Sequence, residues 1–241
     1  MMRSVDLNAD LGEGFGRWAL GDDLALMATI TSANVACGFH AGDPSIMRRT
    51  CQSAVAHDVR VGAHVSYPDL AGFGRRFMDM QSGELTDAVL YQLGALDGIA
   101  RASGTRVLFV KPHGALYNTI VRHEQQAVAV VAAVAEYDPA LALLGLPGSA
   151  AQVAAAERGL RFVVEGFADR GYTADRQLIG RTEPGALLTD PTMVARQAVE
   201  LLTWGVETIC VHSDTPHAAR SAAAVHAALA ALGAMPQPFI R

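Results

Sequence analysis

Apolar and polar positions alternate at the start of the chain: Val5, Leu7 and Ala9 interleave with Asp6, Asn8 and Asp10. A period of two predicts a short strand, here ending in acid. The pattern then changes phase. Asp22 and Asp23 precede the run LALMATI, a short helix with acids at its positive end. A second strand lies near Ala33 to Cys37, and Asp43 with Pro44 makes an N-cap and first turn for a helix over Ser45 to His57. Further strands are expected at Val59 to Val65, Val107 to Pro112, Leu141 to Leu146, Phe162 to Phe167 and Thr208 to His212. Helices are expected over Glu84 to Ala102, Gln125 to Tyr137, Ser149 to Arg158, Pro191 to Trp204 and from Pro216 to near Gly233. Two long loops, Ser66 to Ser82 and Ala168 to Asp190, interrupt the rhythm, and loops of that length usually carry function.

Strand and helix thus recur about seven times over the 241 residues. Such alternation implies a parallel sheet, because parallel neighbours need crossover helices. With no linker and no break in composition, we expect one α/β domain over residues 1–241, a parallel (β/α) barrel of about seven strands.

Composition narrows the function. Hydrophobic residues make up 51% and charged residues 18%, enough apolar side chain for a large core. The net charge of -5 gives no reason to expect a nucleic-acid partner. The opening residues have neither a signal-peptide core nor a membrane span, so a cytoplasmic chain without membrane partners is expected. Three cysteines, Cys37, Cys51 and Cys210, form no CxxC pair and are expected as buried thiols.

The ends of the expected strands collect the ionisable groups: Asp10 and Glu13, His40 and Asp43, His64, Lys111 and His113, Glu165 and Asp169, His212 and Asp214. Only the Leu141 strand lacks one. Barrels build active sites from the loops at the C-terminal ends of their strands, so this distribution favours closure around one pocket. Lys111 is the only lysine beside eighteen arginines. An ammonium is compact and shifts its pKa on burial, which a guanidinium does not do. Phosphate-loop, nucleophile-elbow and HExxH motifs are missing. Gly14, Gly16 and Ala19 satisfy GxGxxA, but the next strand ends without the acid that would hold a ribose. A divalent metal has candidate ligands in Asp10, His40, His64 and His113.

Taken together, DLNADLGEGFG, SANVACGFHAGDP, GAHVSYPDLAGFGRR, VKPHGALYN, FADRGYTADRQLIGR with GALL, and ICVHSDTP resemble the LamB/YcsF lactam-utilization family, that of the 5-oxoprolinase A subunits. The resemblance covers nearly the whole chain. It implies a barrel of the glycoside hydrolase/deacetylase type. It further implies one part of an ATP-dependent enzyme that opens 5-oxo-L-proline to L-glutamate with partner subunits B and C. Val65 and Ser213 stand where relatives often have proline and glycine.

A lactam is an unactivated amide, and ATP can activate it by phosphorylating its oxygen. On this reading the acid/base work falls to Asp10, Glu13, His40, His64, His113, Glu165 or Asp169. Lys111, with Arg75 or Arg170, would offset developing negative charge. Asn8, Tyr117, Asn118, His212 and Asp214 complete the expected substrate contacts. As no nucleotide motif is visible, the ATP site is expected to be shared with a partner. Two other readings are a self-sufficient metal-dependent deacetylase-like hydrolase and a non-catalytic subunit that delivers substrate.

Overall fold

The structure, a computed structural model, describes residues 4–240. Seven strands, β1 (Asp6–Leu11), β2 (Ser32–Ala36), β3 (Arg60–His64), β4 (Val107–Val110), β5 (Ala142–Gly145), β6 (Arg161–Phe167) and β7 (Thr208–Cys210), close in sequence order into a parallel barrel. Closure is made by β1 against β7, with Asn8 beside Cys210. The helices are α1 (Asp23–Met27), α2 (Pro44–Ala56), α3 (Ser82–Ala102), α4 (Gly114–Thr119), α5 (Glu124–Tyr137), α6 (Ala150–Glu157), α7 (Pro191–Thr203) and α8 (Ala218–Ala231). Among the described residues, no helix is long and apolar enough to cross a membrane.

Outward-facing strand residues such as Leu7, Ala9, Val35, Val61, Val110, Leu143 and Ile209 join the helices in the main core. The opposite face of each strand lines the barrel interior, and its two ends differ in character. At the N-terminal end of the barrel Phe109, Ala142, Leu144 and Val163 form an apolar cluster joined by Phe239 and Ile240 from the C-terminal tail. The Phe109 and Phe239 rings stand 5.2 Å apart, and the tail is tied in by the Pro236 bridge to Val5. Gly62 is needed here because a Cβ would overlap the Phe109 ring.

The anticipated caps are present. Asp43 accepts from the backbone of Ser45 and Ile46 ahead of Pro44, and Asp190 does the same for Thr192 and Met193 ahead of Pro191. Three details differ from expectation. The six-residue helix α4 is unforeseen, and β4 ends at Val110, short of the expected Pro112; Gly114 adopts φ +55 and sits on the Gly74 carbonyl, where a side chain would collide. β7 is shorter than expected and stops at Cys210, because the backbone N–H of His212 turns to the Asp169 carboxylate. The loop over 168–190 is folded on itself by the bridges Arg170 to Leu187 and Tyr172 to Leu178.

Candidate active site

The even-numbered residues of β1 set the floor. Asp6, Asn8 and Asp10 point into the barrel, and all three are buried. Asp6 accepts hydrogen bonds from the hydroxyls of Thr31, Ser32 and Thr208. Burial outweighs those bonds and raises its pKa to about 6.

One layer up, the Lys111 ammonium lies 2.9 Å from both Asp10 Oδ1 and Glu165 Oε1, 3.2 Å from Asn8 Oδ1 and 3.1 Å from Cys210 Sγ. Burial alone would strip its proton, but Asp10, Cys210 and Glu165 overrule that and hold its pKa well above the usual range. The Asp10 carboxyl is likewise pushed up by burial, yet the charges of His64 and Lys111 keep it well below its ordinary value. Asn8 has no polar atom to spare for a substrate. Its amide nitrogen donates to Glu165 and Thr208, and its oxygen accepts from Asn34 and Lys111. The expectation that Asn8 contacts substrate is therefore corrected to support beneath Lys111.

Beside this layer stands a cluster of imidazoles. His40 and His113 stack face to face, 3.8 Å between centroids and 6° between planes, and His64 meets both rings edge-on. Their tautomers follow from backbone carbonyls. His64 Nδ1 donates to the Lys111 carbonyl at 2.9 Å, and His113 Nε2 donates to the Phe73 carbonyl at 2.8 Å. The other two ring nitrogens, His64 Nε2 and His113 Nδ1, face each other at 3.0 Å. Glu13 Oε1 lies 3.1 Å from His40 Nε2, 3.3 Å from His113 Nδ1 and 3.8 Å from His64 Nε2, while Asp10 Oδ2 lies 3.4 Å from His64 Nε2. Gly74, at φ +62, lets the long loop lie directly on His40 and His113.

Burial, then the charge of His113, pushes His40 down to about 3; burial also keeps His113 below its ordinary value despite Glu13. Burial alone would raise Glu13, but the His113 and His40 side chains hold it well below the carboxylate range. A focus of imidazole nitrogens and carboxylate oxygens at such short distances from one another is a cation site in its donor chemistry. Nitrogen and carboxylate oxygen donors of this kind suit a divalent transition ion. The buried group Glu13, His40, His64 and His113 can hold a metal ion. The three expected histidines are in this group and Glu13 joins them, while Asp10 gives Oδ1 to Lys111 and keeps Oδ2 beside His64. A second grouping, Asp10, Cys210 and His212, lies against the Lys111 ammonium, whose charge repels a cation.

Across the mouth, His212 Nδ1 binds Asp169 Oδ1 at 2.8 Å, and its ring stacks on Phe167 at 5.2 Å. Burial lowers the pKa of His212, but the Asp169 carboxylate reverses this and leaves it raised. Asp169 is further held by the backbone N–H of His212 and the hydroxyl of Thr215. Tyr117 is buried with its hydroxyl lacking a hydrogen-bond partner; burial and the nearby Glu165 hold it well above the usual phenol range. Asn118 donates to the Gly114 carbonyl. Asp10, His64, Lys111, His113, Tyr117 and His212 all line one deep pocket of about 50 Å³. It adjoins an outer cavity of about 500 Å³ walled in part by Arg75, Asn118, Arg170 and Arg181. Asp214 is turned outward and grips Arg75 and Arg181.

Asn34, Thr208, Cys210 and Arg181 are the residues of this region that sequence reading does not single out. Ser32 and Asn34 repeat the in-register polar alternation of β1, a signal present in the chain. Cys210 offers none: the expected buried thiol is buried, but against Lys111.

The profile of the LamB/YcsF family matches residues 5–241. A protein of Kocuria rhizophila named as the A subunit of 5-oxoprolinase is 55% identical over 99% of this chain and 100% of its own length. The Streptomyces coelicolor protein of the same name is 55% identical over 95% and 97%. In solved structures, a lactam utilization protein from Thermus thermophilus superposes with a TM-score of 0.93 at 41% identity, covering 98% of this chain and 100% of that one. The peptidoglycan deacetylase PdaC of Bacillus subtilis, at 12% identity and a TM-score of 0.51 over 99% and 88%, shares the fold alone. A seven-stranded barrel carrying the motifs quoted above at its strand ends, matched from end to end by these relatives, belongs to the LamB/YcsF family.

Proposed function

We propose that this chain is the lactam-opening subunit of an ATP-dependent 5-oxoprolinase, acting with partner subunits B and C to convert 5-oxo-L-proline to L-glutamate as ATP becomes ADP and phosphate. The relatives' shared name supports the substrate and the subunit role. The observation that carries the chemistry is the meeting, around one 50 Å³ pocket, of a paired imidazole, His212 with Asp169, and a cluster of potential metal-ligand atoms.

ATP makes the lactam carbon electrophilic by transferring its γ-phosphoryl group to the lactam oxygen. The Pγ–O bond to ADP breaks, a new O–P bond forms, and the ring N–H proton is released to a base. Water can then attack that carbon, and cleavage of its bond to the ring nitrogen, which takes back the proton lost earlier, leaves an acyl phosphate. A second water attacks the same carbon, the C–O bond to phosphate breaks, and phosphate departs as L-glutamate forms. His212, aimed by Asp169, is placed to take the first water's proton at Nε2 and return it to the departing ring nitrogen. Glu13, His64 and His113, with His40 beside them, would hold a divalent ion. Such an ion supplies Lewis acidity and lowers the pKa of water. Tyr117 and Asn118 bound the ring. Lys111 has the role of fixing Asp10 and Glu165, since its charge is already matched. The test is to assay glutamate formation and ADP release by the chain alone and with both partners. Activity of the three together and not of the lone chain is expected; a fully active lone chain overturns the shared reaction.

The ligand cluster also suits a partner-free metal hydrolase. Elemental analysis of purified chain, paired with chelation, separates the two: loss of a partner-independent amidase activity on metal removal would favour that second reading.

A further inference from the structure

Three guanidinium groups and a single carboxylate meet at the outer cavity. Asp214 serves two of them, lying 2.5 Å from Arg75 Nη2 and 2.7 Å from Arg181 Nη2. Arg170 is different. It is 8% exposed, its Nε and one Nη are tied to the carbonyls of Ala186 and Ile179 at 3.1 and 2.7 Å, and no carboxylate lies within 4.0 Å of it among the described residues. Burial and the neighbouring Arg181 weigh against its charge and Asp169 favours it from farther off, while a guanidinium stays ionised in proteins. The wall therefore carries two guanidinium groups in excess of the one carboxylate that pairs with it directly. Lys111 adds nothing to this excess, having two carboxylates of its own, Asp10 and Glu165.

The deep pocket and the outer cavity share Gly114, Asn118, Arg170 and Leu178, so one ligand can reach from the first into the second. About 50 Å³ houses a single reacting group, leaving the rest of the ligand for the larger space. A carboxylate monoanion would leave one charge on the wall unmatched. A dianion with several acceptor oxygens matches both charge and the forked donors.

We infer that Arg170, Arg181 and Arg75 form a subsite for a phosphoryl dianion beside the reacting centre, with Asp214 fixing two of the three forks. The inference deepens the proposed lactam reaction and rests on it for the origin of the phosphoryl group, either the end of a nucleotide or a group already moved onto the lactam.

The test is calorimetric titration of the full chain with inorganic phosphate. One phosphate per chain is expected, with affinity weakened at least about tenfold in Arg181→Gln and in Arg170→Gln. Because Arg170 also ties two loop carbonyls, Arg181→Gln, whose residue is partly exposed, decides the matter if Arg170→Gln fails to fold. Absence of binding, or unchanged binding in Arg181→Gln, overturns the subsite. So does one-for-one displacement of phosphate by 5-oxo-L-proline, which would give the wall to a carboxylate. Competition by a non-hydrolysable ATP analogue supports the subsite with the nucleotide as source; binding of phosphate but not of the analogue supports it with the phosphorylated lactam. In the complex with both partners, an Arg181→Gln chain that keeps full turnover sinks the subsite and leaves the 5-oxoprolinase reading intact. A wild-type complex that makes no glutamate sinks that reading, while phosphate binding would stand.

Discussion

Two clusters only a few ångströms apart solve burial in opposite ways. Around Lys111, charge is kept and paired: one ammonium, two carboxylates and the Asn8 amide close a network that uses both polar atoms of the Asn8 side chain and leaves Glu165 Oε2 without a partner. Around Glu13, His40 and His113 are kept neutral, and ring nitrogens are left facing one another. The first arrangement holds its cation already and so behaves as framework. The second is incomplete and so is suited to take a cation. Shared location at the barrel mouth does not make shared work.

The contrast breaks most visibly by removing one member from each cluster. Lys111→Met strands two buried carboxylates and should cost about 3–5 kcal/mol of stability. His113→Gln removes one of the two facing nitrogens and should change stability by no more than about 1 kcal/mol while abolishing metal uptake. Chemical denaturation and elemental analysis of both variants check this; equal losses of stability would erase the distinction.

The floor under Lys111 gives a somewhat smaller effect. Asp6 rests near 6 in the fold against 3.8 unfolded, so its protonated form favours the native state. That contribution, about 3 kcal/mol, is fully present below pH 4 and is lost as pH rises through 6. Asp6→Asn should lack it, so the stability difference between wild type and variant should change across that window. A flat difference would mean that the Asp6 carboxyl is ionised throughout.

The smallest effect concerns the imidazole that is neither framework nor ligand. Asp169 raises the pKa of His212, so Asp169→Asn should lower it. As the proposed mechanism needs His212 unprotonated to take the water's proton, the acidic limb of kcat/KM in the complex should move to lower pH by about one unit. An unmoved limb removes His212 from the base role.

How much of this is legible in the sequence divides along physical lines. The barrel is readable because each strand's period-two pattern and each Asp-Pro cap is a local signal, as at Val5 to Asp10 and at Asp43 and Asp190. The gathering of Asp10, His64, Lys111, His113 and His212 at one pocket follows from their places at strand ends. Which groups pair does not follow, because pairing depends on distances across the barrel. Lys111 reads as available for developing charge and is instead saturated; Asn8 reads as a substrate contact and is a support. The turn into α4 is hidden for a related reason, since Gly114 takes its positive φ to accommodate Gly74, about forty residues away in sequence.

The aromatic packing of Phe109 against Phe239 has a bearing on traffic. With the far end filled, the barrel is a cul-de-sac: a molecule that passes Arg170 on the way in must leave past it on the way out. A product and the substrate that follows it cannot cross in transit, and a subunit docked over that doorway would govern both arrival and departure.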